Sequence, residues 1–265
     1  MGRRRLDLEL VRRGLAGSRA EAQEAVLAGH VTVQGAPATK STTLVSVDEA
    51  LAVEGPGRPF VSRGGVKLAA ALDAFAIDPS GRDCLDAGAS TGGFTDCLLQ
   101  RGARHVVAVD VGYGQLAWAL RTDPRVTVLD RTNVRELDTG VLPYLSSLVT
   151  ADLSFISLRT AVRPLVDVAE AGADLVLLVK PQFEAPRADV GAGGVVTDPD
   201  VWRRAIGAVA DATAEAGAPA AGVIPSPITG PAGNVEFLLR ATIGGAPAHL
   251  GVDAAIGAAR ELTNV

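Results

Sequence analysis

From about residue 60 onward, short apolar runs alternate with longer helix-patterned segments, and this rhythm restricts the fold more than any other feature. The runs are DCLDAG, HVVAVDV, VTVLD, LVTADLS, ADLVLLVK and AAGVIPSP, with NVEFLLRATI last. Strands separated by helices predict a mainly parallel, doubly wound α/β sheet. The final run arrives through a Pro/Gly-rich connection, residues 225–234, that holds no helix, so it is expected to enter antiparallel. In open sheets of this kind a ligand lies beyond the carboxyl ends of the strands. Those ends are charged here: Asp86, Asp110, Asp130, Asp152 and Lys180.

The first 55 residues follow a different pattern. Leu6, Leu8, Leu10, Val11 and Leu15 have roughly helical spacing up to Gly17, and Ser18 can cap a second helix, SRAEAQEAVLAG. HVTVQG and PATKSTTLVSVDEALAV then alternate apolar and polar residues around a glycine turn, which predicts a small sheet. The Pro/Gly-rich piece EGPGRP marks a linker. Four segments result: a small α+β domain over 1–55, a linker over 56–63, a large domain over 64–245 and a tail over 246–265.

The total charge of −5 argues against a uniformly basic nucleic-acid binder, but the total conceals an asymmetry. Residues 1–63 hold nine Lys/Arg against seven Asp/Glu, and the remainder sixteen against twenty-three. A polyanion should therefore meet the N-terminal segment first. Two cysteines, Cys84 and Cys97, offer no disulfide framework or zinc cluster and suit a reduced cytosolic setting. The N-terminus MGRRRLDLEL lacks the apolar core of a secretion signal, and the uncharged stretch near 216–235 is too rich in Pro and Gly to be a membrane helix. No metal site is expected.

In DAGASTGGFTD, Asp86 closes a strand, Gly88, Gly92 and Gly93 loosen the turn, and Phe94 opens a helix whose free amides face the ligand. The glycine spacing departs from the G-x-G-x-x-G dinucleotide pattern, which disfavours an NAD-dependent oxidoreductase. A glycine turn that only packs helix on strand is the plain alternative. Asp110 follows Asp86 by about two dozen residues, suited to ribose hydroxyls. Asp130 or Asn133 can read an adenine edge. Lys67, ahead of the first strand, and Glu236, in the last, can join Asp152 and Lys180 in a cluster of two lysines and two carboxylates; a structural ion pair is the competing reading.

Six segments in this order, RLDLELVRRGLAGSRAEAQEAVLAGHVTVQG, VSRGGVKLAAAL, LDAGASTGGFTDCLL, ADLSFISL, LVKPQFE and GNVEFLL, resemble the TlyA-type ribosomal RNA 2′-O-methyltransferases. These join an S4-like RNA-binding domain to an FtsJ-like catalytic domain. The resemblance spans nearly the whole chain. It implies a Rossmann-like class I methyltransferase sheet, S-adenosyl-L-methionine as cofactor and a Lys67, Asp152, Lys180, Glu236 catalytic tetrad. Asp86, Gly88, Ser90, Thr91, Gly92, Gly93 and Phe94 would then hold the methionine part, Asp110 the ribose, and Asp130 with Asn133 the adenine. Arg4, Arg5, Arg12, Arg13, Ser18, Arg19, Gln23 and Lys40 would face RNA, with ribosomal RNA or ribosomal subunits as partner and cytidines as targets. The sequence departs at Thr91, where related enzymes tend to have Pro, and in VGAGGVVTDP, less basic than the family would suggest.

A ribose 2′-hydroxyl is a poor nucleophile until it starts to lose its proton. A lysine can take that proton near neutral pH only if its pKa falls from about 10.4, which a second ammonium nearby promotes. The resemblance thus assigns Lys180 as base and Lys67 as the second charge. Relatives have been described as haemolysins, so a membrane-active or a non-catalytic RNA-binding protein is the alternative. No spanning segment or basic amphipathic helix supports membrane action.

Overall fold

The strand runs pair into one seven-stranded sheet in a computed structural model that describes residues 3–53 and 59–263. The chain divides into two units, residues 1–59 and 60–265. Residues 56–58 of the expected linker lie outside the described residues, and residues 60–63 already belong to the second unit.

In the first unit the elements are β1 (Arg3–Arg5), α1 (Leu6–Arg12), α2 (Arg19–Leu27), β2 (Val31–Val33), β3 (Ala36–Pro37), β4 (Leu44–Ser46) and β5 (Leu51–Val53). Ser18 caps α2, its Oγ accepting from the amide of Glu21 at 3.2 Å. Strands β2 and β3 form a hairpin across Gln34 and Gly35, both at positive φ as a tight two-residue turn requires. Leu6, Leu10, Ala22, Val26, Val31 and Val45 make the small core. The basic N-terminus is itself a strand: β1 pairs antiparallel with β4.

The second unit contains α3 (Gly64–Ala74), β6 (Asp83–Ala87), α4 (Gly93–Gln100), β7 (His105–Val109), α5 (Trp118–Arg121), β8 (Val126–Leu129), β9 (Ser146–Ala151), α6 (Leu158–Asp167), β10 (Ala169–Val179), α7 (Pro181–Glu184), α8 (Pro199–Glu215), β11 (Ala220–Pro225), β12 (Phe237–Thr242) and α9 (Val252–Thr263). The strand order is β11-β12-β10-β9-β6-β7-β8. The five strands from β10 to β8 are mutually parallel, while β12 runs antiparallel to both β10 and β11. The helix-free connection expected to reverse the last strand does so.

Strand alternation sorts the core into two layers. Leu85, Val107, Val149, Leu177 and Leu239 face α6, α8 and α9, whereas Cys84, Val106, Leu148, Leu178 and Leu238 face α3 and α4. Helix α6 presents Leu158, Ala161, Val162 and Leu165, the i, i+3, i+4, i+7 stripe of a helix lying on a sheet. Residues 246–265 were set apart as a tail on sequence grounds. They contain α9, whose Ala255, Ile256 and Ala259 are buried in the first of these layers.

Candidate active site

Beyond the carboxyl ends of β6, β7 and β9 lies a cleft of about 440 Å³, lined among others by Gly88, Ser90, Asp110, Gln115, Asn133, Asp152 and Phe155. The loop after β6 opens it. Gly88 sits at φ +83°, and a Cβ there would lie 2.4 Å from the Asp152 carbonyl oxygen, so only glycine lets the two strand ends approach this closely. Ser90, also at positive φ, donates its amide to Asp110 Oδ2 at 2.8 Å, and Gly112 donates to Asp110 Oδ1 at 2.7 Å. The Asp110 carboxylate is thus fixed by two backbone amides at the cleft wall. Asn133 Oδ1 accepts from the Arg135 amide at 3.1 Å, which orients its side chain at the same rim.

Other residues assigned to this loop do different work. Asp86 is fully buried beneath it, accepting from Thr95 Oγ1 at 2.7 Å, with Thr150 Oγ1 at 3.5 Å. Burial, and secondarily the nearby Asp152, pushes its carboxyl up to about 7. Thr91 is absent from the cleft lining. A Cβ on Gly92 would strike Leu120, one on Gly93 would strike Ser62, and Phe94 packs in the core against α3. This half of the loop is the packing turn that sequence spacing left open. Asp130 is likewise absent from the cleft lining and is bound to Arg121 Nη2 at 2.6 Å, a hydrogen bond that lowers its pKa.

The four tetrad candidates meet at one edge of the sheet. Val179 pairs with Phe237 and Leu177 with Ala151, so Lys180, Glu236 and Asp152 emerge from three adjacent strands. Lys67, on the first turn of α3, reaches Glu236 Oε2 at 2.5 Å in a buried pair. Lys180 Nζ lies 2.6 Å from Asp152 Oδ1 and donates to Ser154 Oγ at 2.9 Å. Asp152 Oδ1 is buried and has no aligned hydrogen-bond donor, so its short contact with Lys180 is one of charge rather than of directed bonding. Pro181 opens α7 directly after Lys180 and fixes the backbone there. Glu236 also lines a smaller cavity of about 310 Å³ with Arg63, Ser226 and Thr229.

Ser154 and Phe155 were not singled out from sequence, although both lie in the ADLSFISL segment. Phe155 is 92% exposed at φ +65°, with the Phe183 ring 5.4 Å away. A bulky residue at positive φ with its ring in solvent is strained, and such strain concentrates at functional sites.

In the first unit the arginines are not a simple solvated face. Asp7 and Glu9, both buried, collect them. Asp7 accepts from Arg5, Arg19 and Gln23, and Glu9 from Arg12 and Arg13. The hydrogen bond from Arg5 holds the Asp7 carboxyl well below the usual carboxylate range, and those from Arg12 and Arg13 bring Glu9 down to about 2. Arg13 also donates to the carbonyls of Ser46, Val47 and Glu49, so it clamps the turn between β4 and β5. Arg4 and Lys40 are exposed, and Ser18 is taken up as the cap of α2.

A parallel sheet reversed at one edge, a glycine-loop cleft and two lysine–carboxylate pairs at the ends of β9, β10 and β12 define a Rossmann-like methyltransferase. The chain belongs to the FtsJ-like methyltransferase family, whose profile matches residues 60–242, and residues 4–51 match the S4 domain. Over 238 residues it is 57% identical to the 16S/23S rRNA (cytidine-2′-O)-methyltransferase TlyA of Mycobacterium tuberculosis, covering 89% of each chain. It is 37% identical to Hemolysin A of Brachyspira hyodysenteriae, over 88% of this chain and 98% of that one. The solved structure of a candidate hemolysin from Streptococcus thermophilus is similar throughout, with TM-score 0.82 and 34% identity over 100% of this chain and 98% of the other.

Proposed function

We propose that this protein transfers a methyl group from S-adenosyl-L-methionine to a cytidine 2′-hydroxyl of ribosomal RNA, with Lys180 accepting the hydroxyl proton at Nζ. The observation that carries this reading is the convergence of the Lys180–Asp152 and Lys67–Glu236 pairs at the edge shared by β9, β10 and β12. The cleft beside them fits the cofactor: Gly88 lines it and lets the β6 and β9 ends close on one another, Asp110 is preset by two amides for a ribose diol, and Asn133 offers an amide to a base edge. When bound, S-adenosyl-L-methionine supplies the electrophilic sulfonium methyl group.

The chain's own residues do the rest. Ser154 and Asp152 hold the Lys180 side chain at the cleft; Nζ accepts the proton in its neutral amine form, and the ammonium so formed is stabilised by Asp152. Glu236 keeps Lys67 in place, so the second ammonium sits at a fixed position beside the first pair. Phe155 offers an exposed ring on which the target base can stack, as single-stranded RNA bases do on aromatic side chains. The first unit supplies phosphate contacts through Arg4, Arg5, Arg12, Arg19 and Lys40, and the ribosomal substrate places the work in the cytoplasm. The hemolysin names of relatives suggest a membrane alternative, but among the described residues no helix is long and apolar enough to cross a membrane.

Mapping ribose methylation on 16S and 23S rRNA incubated with and without the protein and cofactor tests the proposal. New 2′-O-methylcytidine is expected only when both are present. Methylation on a base instead of a ribose would overturn the assignment.

A further inference from the structure

Asp7 gathers three side chains, Arg5, Arg19 and Gln23. It stands at the second position of α1 and is fully buried, yet it bears no apolar function and no catalytic one. Arg5 grips it in a two-pronged contact, Nε to Oδ1 at 3.0 Å and Nη2 to Oδ2 at 2.8 Å. Arg19, the first residue of α2, gives its Nε to Oδ2 at 3.0 Å, and Gln23 its Nε2 to the same oxygen at 2.9 Å. One carboxylate therefore ties the strand that precedes α1 to the start of α2.

The arginines are only partly consumed by this. The Arg5 side chain is 35% exposed and that of Arg19 53%. A guanidinium has five N–H donors in a rigid planar fork, so anchoring one edge on Asp7 fixes the direction in which the other edge points. Two cations held this way from different elements form a preset pair, and a preset pair loses less conformational entropy on meeting a phosphate than two free arginines would.

We propose that Asp7 is a positioning residue for RNA, an acidic group that raises affinity for a polyanion by aiming Arg5 and Arg19 at its backbone. The inference rests on the reading of the first unit as the RNA-binding module. It separates from a charge-only account by sign. If the unit bound RNA through net charge alone, removing a buried negative charge would tighten binding, because one more uncompensated cation would face the phosphates. If Asp7 sets the geometry, its removal weakens binding although the unit becomes more positive.

The test is filter binding of a 23S rRNA transcript by the full-length protein across a salt series, with methyl transfer measured in parallel. Asp7→Asn is expected to weaken binding at least fivefold and to flatten the salt dependence by about one phosphate contact, raising KM for RNA while leaving kcat unchanged. Dispersed amide NMR signals from residues 3–53 would show that the unit stays folded. Arg19→Lys is the second variant: it keeps the charge at an exposed position and loses only the planar fork. It is expected to weaken binding several-fold. Wild-type affinity in Arg19→Lys, or tighter binding in Asp7→Asn, would overturn the proposal while leaving RNA binding by this unit intact. Unchanged affinity on deleting residues 1–59 would instead remove the RNA-binding reading itself, and the proposal with it.

Discussion

Asp86 makes a measurable prediction about stability, because a carboxyl group buried under the glycine loop after β6 must change how the second unit responds to pH. Its pKa rises from 3.8 to about 7 on folding, through burial first, against hydrogen bonds from Thr95 and Thr150. The folded state therefore keeps a proton that the unfolded chain has already lost. Below pH 3.8 this carries no penalty. As pH rises the penalty grows by about 1.4 kcal/mol per pH unit and levels off above 7, reaching about 4 kcal/mol, with local relaxation and water entry reducing it. In Asp86→Asn the side chain keeps its shape without the ionisation. Between pH 5 and pH 8 the variant should gain about 2–3 kcal/mol relative to wild type. Urea unfolding followed by tryptophan fluorescence reads this unit alone, since Trp118 and Trp202 both lie in it and Trp202 is buried in its core. The range avoids the acidic pH at which Asp7, Glu9 and Asp83, all with lowered pKa values, begin to lose their partners. A wild-type-to-variant difference that stays constant from pH 5 to 8 would refute the account of Asp86 as a buried, proton-holding group.

Four other outcomes follow. Lys180→Ala should abolish methyl transfer by at least a hundredfold while isothermal titration with S-adenosyl-L-methionine stays within threefold of wild type; equal loss of both would make Lys180 structural. Gly88→Ala should cost at least tenfold in cofactor affinity and lower the melting temperature, because its Cβ meets a backbone carbonyl and its φ is left-handed. Phe155→Ala should raise KM for RNA fivefold or more without lowering the melting temperature, in line with about 1–3 kcal/mol per stacked base. Cys84 and Cys97, whose thiols burial pushes up to about 12, should resist a thiol reagent at pH 8 until urea unfolds the protein.

Much of the frame was legible in the chain because it is local. Strand runs, the cap at Ser18 and the reversal before β12 depend on neighbours within a few residues. The strand ends also marked Asp110, Asp152 and Lys180, since a parallel sheet delivers its last residues to one edge. What stayed hidden depends on contacts far apart in sequence. Nothing near Asp86 indicates that Thr150 lies close to it, and nothing near Asp130 that Arg121 binds it. Likewise RLDLEL reads as an amphipathic helix start, and the burial of Asp7 and Glu9 appears only once α2 and the β4–β5 turn are in place. Glycines posed the same difficulty: Gly88 and Gly93 are alike on paper, yet one faces Asp152 and the other a neighbouring helix.

The pairing of Lys67 with Glu236 also has a consequence for how the protein is made. One partner lies before the first strand of the sheet and the other just ahead of the last strand in sequence, 169 residues later. A chain emerging from the ribosome holds Lys67 from an early stage, with its carboxylate still untranslated. Contacts of such long sequence separation close late in folding. The second lysine therefore gains its fixed place only after β12 has inserted between β10 and β11. A nascent or truncated chain that ends before residue 236 has Asp152 and Lys180 but lacks this last fastening, so the Lys67 side chain is anchored only once β12 has been made.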